Sequence, residues 1–479
     1  MPKINNSTNF ISFINANKIL VIGFLMIGMA GIVLRILWTE NVPTKQWYDF
    51  DTFMEVATNI YEGNGHSIGG QAVAWVGPGY AYALAFFFKL MGRADIDAAK
   101  LMNLWLSSLT LLMSFFVFIR IFVRKVPDKR GVLRNHANKP AILAAYALTA
   151  VFPNIIAYNN VAGTETFFLF LLVCILLLQL YPLFHKVSWV NFALVGALTG
   201  LCTLTKPFML VYPVILAVIC WVDTKRWLSA AKWLLIAGIP CMLVVAPWTY
   251  RNYRHYGRFI PVSYNMGYNR QVNNNERNIS GSWMPLEDTV MSDGTRALME
   301  AILDDGRSVK QAYELELPLA REASKWIHDN RLAYMQLGLM RIQKTYFHGA
   351  DDILDWTMND WKYEEGAPSE YKDKRHTAFA MSLFTVMVNI VSAAGFIFLF
   401  LYFWPYLKSC FTKKRFMDGP ENLLFLNIAF FALIVFAFEG QPRYNHSVLI
   451  FFIAALVWIC DKVVSQRSGQ LIGYARLPD

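Results

Sequence analysis

Residues 120–139 read RIFVRKVPDKRGVLRNHANK, and this stretch decides how everything around it is threaded. Arg120, Arg124, Lys125, Lys129, Arg130, Arg134 and Lys139 stand against the single acid Asp128, and apolar runs flank the stretch on both sides. Lys and Arg collect in short loops on the cytoplasmic side of a membrane, so these residues are assigned to a cytoplasmic loop between two spans. The composition calls for a membrane. Of 479 residues, 56% are hydrophobic and 15% aromatic, with mean hydropathy +0.34, more apolar surface than one soluble core hides. The net charge of +10 sits largely in loops beside apolar segments, which makes it a topology signal rather than a nucleic-acid footprint.

Working outward, apolar runs near the length that crosses about 30 Å of hydrocarbon as helix predict an all-α polytopic membrane protein, a helical bundle rather than a barrel. Spans are expected at about 19–37, 97–119, 140–158, 166–184, 189–205, 207–222, 230–248, 378–404, 421–438 and 446–460, ten crossings with both termini cytoplasmic. The run YAYALAFFFKLMG at 80–92 is too short to cross and is expected to lie along the interface. The chain then divides into an N-terminal membrane region, 1–248, carrying a first outer loop at 38–96, a long extracytoplasmic segment, 249–376, and a C-terminal membrane region, 377–479. Within the long segment, NRQVNNNERNISGSW (269–283) is expected to be irregular. Helical periodicity runs over about 310–347, and LAYMQLGLMRIQKTYF (332–347) is expected to be an amphipathic helix returning toward the bilayer. The first run, 19–37, is too long for a signal-peptide core and is expected to remain as an anchor. The six cysteines lack paired spacing, and no disulfide or zinc site is assigned.

This threading collects ionisable residues at one face of the membrane: Asp49 and Asp51 after the first span, Glu165, Lys206, Arg251, Glu439 and Arg443. Carboxylates mixed with cations suit a site that binds a phosphate and activates a hydroxyl, and ionisable groups at membrane level are functional candidates because burying them is costly. The blander alternative is solvated loop acids and snorkelling cations. For Glu165, with almost no loop around it, the two readings balance. Lys206 and Arg251 stand against the positive-inside trend, which favours function. His66, His348 and His446 have no metal-ligand spacing.

In order along the chain, DFDTF (49–53), EGNGHS (62–67), WVGPGYAYALAFFFKLMG (75–92), TETFFLFLL (164–172), GLCTLTKPFML (200–210), APWTYRNYRHYGRFIPVSYNMGYN (246–269) and EGQPRYNHS (439–447) resemble GT-C glycosyltransferases related to protein O-mannosyltransferases and the bacterial lipid A aminoarabinose transferase. The resemblance implies the GT-C architecture and an inverting transfer of a sugar from a polyprenyl-phosphate donor to an acceptor hydroxyl on the extracytoplasmic face. It implies Asp49 as general base, with Phe50 where the family often has Glu and the second acid displaced to Asp51. It also implies Glu165 positioning donor or acceptor, and Lys206, Arg251 and Arg443 gripping the donor phosphate, which suits the guanidinium fork. Gly63 and Gly65 are expected to end the Asp-bearing helix with positive-φ turns, and Pro78 to start the interfacial helix.

The expected partners are a polyprenyl-phosphate sugar, the bilayer, and an envelope lipid, polymer, glycan or protein acceptor, at the plasma (inner) membrane. Nucleic acid is not among them. No cofactor or metal site is predicted, and a divalent cation is left open. The main alternative is a transporter or flippase whose charges line a path, although neither repeated halves nor midplane helix breaks are evident. A non-catalytic assembly subunit is a second alternative. A nucleotide-sugar enzyme fits less well, because DFD at 49–51 faces away from the cytosol.

Overall fold

In hydrocarbon a backbone group finds no water, so apolar runs satisfy themselves by coiling into helices. The computed structural model describes residues 17–127, 133–180, 188–359, 375–412, 414, 416–417, 419–467 and 473–474. The middle of the basic loop (128–132), the 181–187 loop with His185 and Lys186, parts of 408–415 and both chain ends lie outside the described residues.

Helix α1 (Lys18–Asn41) is followed by α2 (Asp49–Tyr61), α3 (Pro78–Met91), α4 (Ile96–Ile121), α5 (Lys139–Val151), α6 (Pro153–Ala157), α7 (Thr164–Leu180) and α8 (Trp189–Thr205). Then come α9 (Tyr212–Thr224), α10 (Trp227–Tyr256), α11 (Met266–Asn273), α12 (Asp293–Asp304), α13 (Glu316–Asp329), α14 (Arg331–Tyr346), α15 (Arg375–Phe411), α16 (Gly419–Ala437) and α17 (Leu449–Arg467). Among the described residues six helices are long and apolar enough to cross a membrane, or seven if the bent pair Lys139–Val151 and Pro153–Asn160 is one span, and α7 and α8 are shorter apolar helices.

Three features depart from the expected pattern. The basic loop forms an antiparallel hairpin of β3 (Val123–Pro127) and β4 (Leu133–Ala137), and β5 (Gly473–Tyr474) adds to the β3 edge, so the chain end returns to the side of the bundle that carries this loop. The Asn-rich stretch is helical at its start, in α11, because Asn273, Asn274 and Asn275 each donate a side-chain amide to the carbonyl four residues earlier. The span expected at about 140–158 is a helix pair, Lys139–Val151 and Pro153–Asn160, bent by 49°. Pro153 is the cause, since it has no N–H to give the carbonyl of Thr149.

The bend leaves carbonyls that need donors, and Arg35 of α1 supplies them. Its side chain is fully buried. Its guanidinium donates to Ala150 O at 3.0 Å, Thr149 O at 3.5 Å, Gly31 O at 2.8 Å and Ser107 Oγ at 2.8 Å. Gly31 permits the approach of α1, because a Cβ there would stand 3.0 Å from that of Ala150. Arg35→Leu is therefore expected to destabilise the detergent-solubilised protein by about 2–4 kcal/mol, through unsatisfied carbonyls at the bend. A thermal melt checks this, and an unchanged midpoint removes Arg35 from the support of the bend.

Candidate active site

Helix α2 begins at Asp49, and the residue before it, Tyr48, has φ 53° and ψ −111°. A positive φ is uncommon for a bulky residue and is retained only where surrounding contacts enforce it. Here the enforcement comes from the far end of the chain. Arg443, in the 3₁₀ turn Pro442–Ser447, places Nη2 at 2.6 Å from Asp49 Oδ2. The Arg443 side chain is 9% exposed and that of Asp49 43%, so the cation is fixed and the carboxylate keeps an open side. The rings of Phe50, Trp356 and Tyr444 surround the guanidinium at 5.7, 5.4 and 5.3 Å, an arrangement that holds Arg without using its donors. Burial pushes the Asp49 carboxyl up. Arg443, with Lys310 and Lys206 further off, outweighs that and holds it below the usual carboxylate range.

A second pair lies beside the first. Lys206 Nζ stands 3.4 Å from Glu165 Oε1, both side chains nearly buried. The Lys206 ammonium lies 5.7 Å from the Phe168 ring and 5.6 Å from the Tyr444 ring, and the Tyr444 hydroxyl donates to Glu439 Oε2 at 2.8 Å. Tyr444 thus touches both cations and ties them to a third carboxylate, which also accepts from Gln441. Glycines make this density possible. A Cβ on Gly163 would meet Phe50 Cε1 at 2.5 Å and Glu165 Oε2 at 2.6 Å. Gly77 and Gly79 bring the start of α3 onto the end of α8, where Cβ atoms would stand 2.4 Å from Leu204 O and 2.3 Å from Thr205 Oγ1. The residue that follows is Lys206. Gly63 and Gly65 close α2 at φ 89° and 71°, and α3 starts at Pro78.

Of the residues singled out in the sequence, Asp49, Glu165, Lys206, Glu439 and Arg443 come together. Asp51 is exposed on α2. Arg251 is engaged elsewhere: it donates to Val73 O at 2.8 Å and His66 O at 3.3 Å and lies over the Trp248 ring at 4.7 Å, which braces the hairpin of β1 (Ser67–Ile68) and β2 (Gln71–Ala72). The sequence reading missed Lys310, whose Nζ donates to Thr52 Oγ1 at 2.6 Å. It also missed Trp356 and Asp352, carried by a segment with no local pattern to mark it. Asp352 is fully buried and accepts from Asn154 Nδ2 at 2.9 Å and the Tyr158 hydroxyl at 2.9 Å. An open apolar groove of about 270 Å³ between α1 and α4 shares no residue with this cluster. Among the described residues no group of three or more His, Cys, Asp or Glu is placed to hold a metal ion.

The family of dolichyl-phosphate-mannose-protein mannosyltransferases matches residues 131–250, and no curated protein matches the chain in sequence. The oligosaccharyltransferase AglB of Archaeoglobus fulgidus, in complex with an inhibitory peptide and a dolichol-phosphate, is similar in structure at TM-score 0.50 and 13% identity, over 95% of this chain and 52% of that one. An apo form of the Archaeoglobus fulgidus oligosaccharyltransferase gives TM-score 0.51 at 13% identity, over 94% and 51%. The chain has the GT-C fold. It spans about half the length of the oligosaccharyltransferase it matches. ArnT of Cupriavidus metallidurans bound to undecaprenyl phosphate aligns at TM-score 0.43 and 12% identity, over 94% and 80%.

Within this GT-C fold, Asp352 fastens the segment that carries Trp356 onto the bend after α5. Burial pushes its carboxyl up to about 7 against the opposing hydrogen bonds from Tyr158 and Asn154. Between the ordinary value of 3.8 and about 7 the folded state binds the extra proton, so stability falls as pH rises through that window. Asp352→Asn cannot ionise. Its melting temperature relative to wild type is expected to rise from pH 5 to pH 8, and a difference independent of pH counts against a buried titrating carboxyl.

Proposed function

We propose that the protein is a membrane glycosyltransferase that moves a sugar from a polyprenyl-phosphate donor to an acceptor hydroxyl at the extracytoplasmic face, with Asp49 as general base. The observation that carries this reading is the 2.6 Å pair of a half-exposed carboxylate and a caged arginine. The match to dolichyl-phosphate-mannose-protein mannosyltransferases over 131–250 supports it, as does the dolichol-phosphate held by the structurally similar oligosaccharyltransferase.

A lipid-linked donor is confined to headgroup depth, and the catalyst has to reach that depth. Asp49 takes the proton of the acceptor hydroxyl, the acceptor oxygen bonds to the anomeric carbon, and the bond from that carbon to the phosphate oxygen breaks, releasing polyprenyl phosphate. A single displacement inverts the anomeric centre. Arg443 and Lys206 meet the growing charge on the departing phosphate, and Glu165 holds Lys206 in place. At rest Arg443 is engaged with Asp49, which keeps the base weak. Arrival of the donor phosphate shifts the guanidinium toward the new anion, and the Asp49 carboxylate gains basicity as its counter-charge is shared. Arg251 would act through the loop it braces, by fixing the Ser67–Ala72 hairpin beside α2. In this reading both termini are cytoplasmic and the membrane is the plasma (inner) membrane.

The test is release of polyprenyl phosphate from a panel of radiolabelled polyprenyl-phosphate sugars by purified protein in liposomes. Asp49→Asn keeps shape and removes the base, so release is expected to fall by at least about 10²-fold with donor binding retained. Equal release by both proteins would remove Asp49 from this role, and labelled lipid crossing the bilayer without release would favour a transporter.

A further inference from the structure

Two rings beside Asp49 take no part in the chemistry proposed above. Tyr48 is 62% exposed and Trp283 40% exposed. Their centroids are 6.2 Å apart with planes at 62°, and Tyr48 meets Trp356 on its other side at 6.1 Å and 81°. The two exposed rings make a corner at the N-terminus of the Asp49 helix.

The corner is built from three distant parts of the chain. Trp283 follows a glycine turn pinned to the Arg443 loop: Gly440 N donates to Gly281 O at 3.1 Å and Ser282 Oγ donates to Gly440 O at 2.9 Å. Both glycines are required by space or conformation. A Cβ on Gly440 would stand 2.6 Å from Arg341 Cα, and Gly281 has φ 69° with Leu337 O at 3.0 Å from its Cβ position. Trp283 Nε1 donates to the Tyr268 hydroxyl at 3.0 Å. That bond uses the oxygen as acceptor and leaves the phenolic proton free to be donated. Tyr48 keeps its positive φ beside the Asp49–Arg443 ion pair that fixes the next residue. An anchoring ring at the membrane interface needs no such fixing, since it only has to reach the headgroups.

We propose that Tyr48 and Trp283 form a shelf for a pyranose ring, with the Tyr268 hydroxyl donating to one of its oxygens. A pyranose presents a face of C–H groups that packs on an aromatic face, while hydroxyls around its rim need polar partners. Ring faces, a free phenolic donor and a half-exposed carboxylate supply both requirements at one place. A bare lipid phosphate needs cations here, whereas this corner is made of rings and the guanidinium of Arg443 and the ammonium of Lys206 are already engaged with Asp49 and Glu165. The ring comes from either of two sources: the sugar being transferred or a glycan acceptor. Assigning it to one of them rests on the transferase reading, whereas the shelf itself does not.

The experiment compares wild type, Tyr48→Leu, Trp283→Ala and Trp283→Phe in lipid nanodiscs. Affinity is measured for polyprenyl phosphate and for polyprenyl-phosphate hexoses, and KM is measured for methyl hexopyranosides and short oligosaccharides as acceptors. Loss of either ring is expected to weaken a sugar-bearing ligand about tenfold while leaving polyprenyl phosphate unchanged, with Phe restoring most of the loss. A change confined to hexose donors places the transferred sugar on the shelf, and a change confined to acceptor KM places a glycan acceptor there. An equal loss for bare polyprenyl phosphate overturns the proposal, as does no change for any sugar. Should wild type release no polyprenyl phosphate at all, the transferase reading fails on its own. The shelf is then judged by saturation-transfer NMR with the methyl hexopyranosides: signal lost in Trp283→Ala supports it, and no signal in wild type overturns it.

Discussion

An ion pair between residues nearly four hundred positions apart, Asp49 and Arg443, holds helix α2 to the turn before α17. It sets where α2 starts, which way Tyr48 faces and where Phe50 and Trp356 close around the guanidinium. Its two ends are not equivalent. Arg443 is nearly buried and its Nε has no partner among the described residues, whereas Asp49 keeps an open side. Removing the acid leaves a buried cation without compensation, while removing the cation leaves a carboxylate that water can still reach. The pair is therefore built around keeping Arg443 in place.

Around it the charges nearly balance. Asp49, Glu165 and Glu439 meet Arg443, Lys206 and Lys310 within one cluster. Burial pushes Glu439 upward, with Arg443 opposing, so this carboxylate holds a proton more readily than Asp49 does. Close backbone packing fixes these groups more than side-chain reach does. Gly77 and Gly79 lie against the residues just before Lys206, Gly163 lets Phe50 and Glu165 touch, and Gly440 lies against Arg341. A methyl group at any of these positions would displace a charged residue rather than merely fill space.

The membrane architecture was legible because apolar length and loop charge are local signals. Asp49, Glu165, Lys206 and Arg443 were legible too, since an ionisable residue at the edge of an apolar run stands out. What stayed hidden depends on pairing across the chain. Arg35 sits inside an apolar run, and nothing local shows that Pro153, over a hundred positions later, leaves carbonyls for it to cap. Lys310 and Asp352 lie in the long hydrophilic segment, where charge is ordinary. Only the fold brings one to Thr52 and the other beneath the α5 bend. Arg251 shows the converse: it is conspicuous in the sequence, yet its guanidinium is taken up by the carbonyls of His66 and Val73.

Near-balance of charge has a consequence for how a phosphate donor would enter under the proposed reading. Arg443 and Lys206 are each paired with a carboxylate and Lys310 donates to Thr52 Oγ1, so an anion arriving at either of the first two has to take a share of a cation already engaged. Lys206 is the poorer candidate, because Glu165 is almost fully buried and could not be left without its partner cheaply. Arg443 is the better one, since the acid it would release is the half-exposed Asp49, which solvent or an acceptor hydroxyl can satisfy. The same exchange moves the phosphate beside the cation and turns the carboxylate toward the acceptor. Under that reading the asymmetry of a single ion pair orders the events, with donor first and base second.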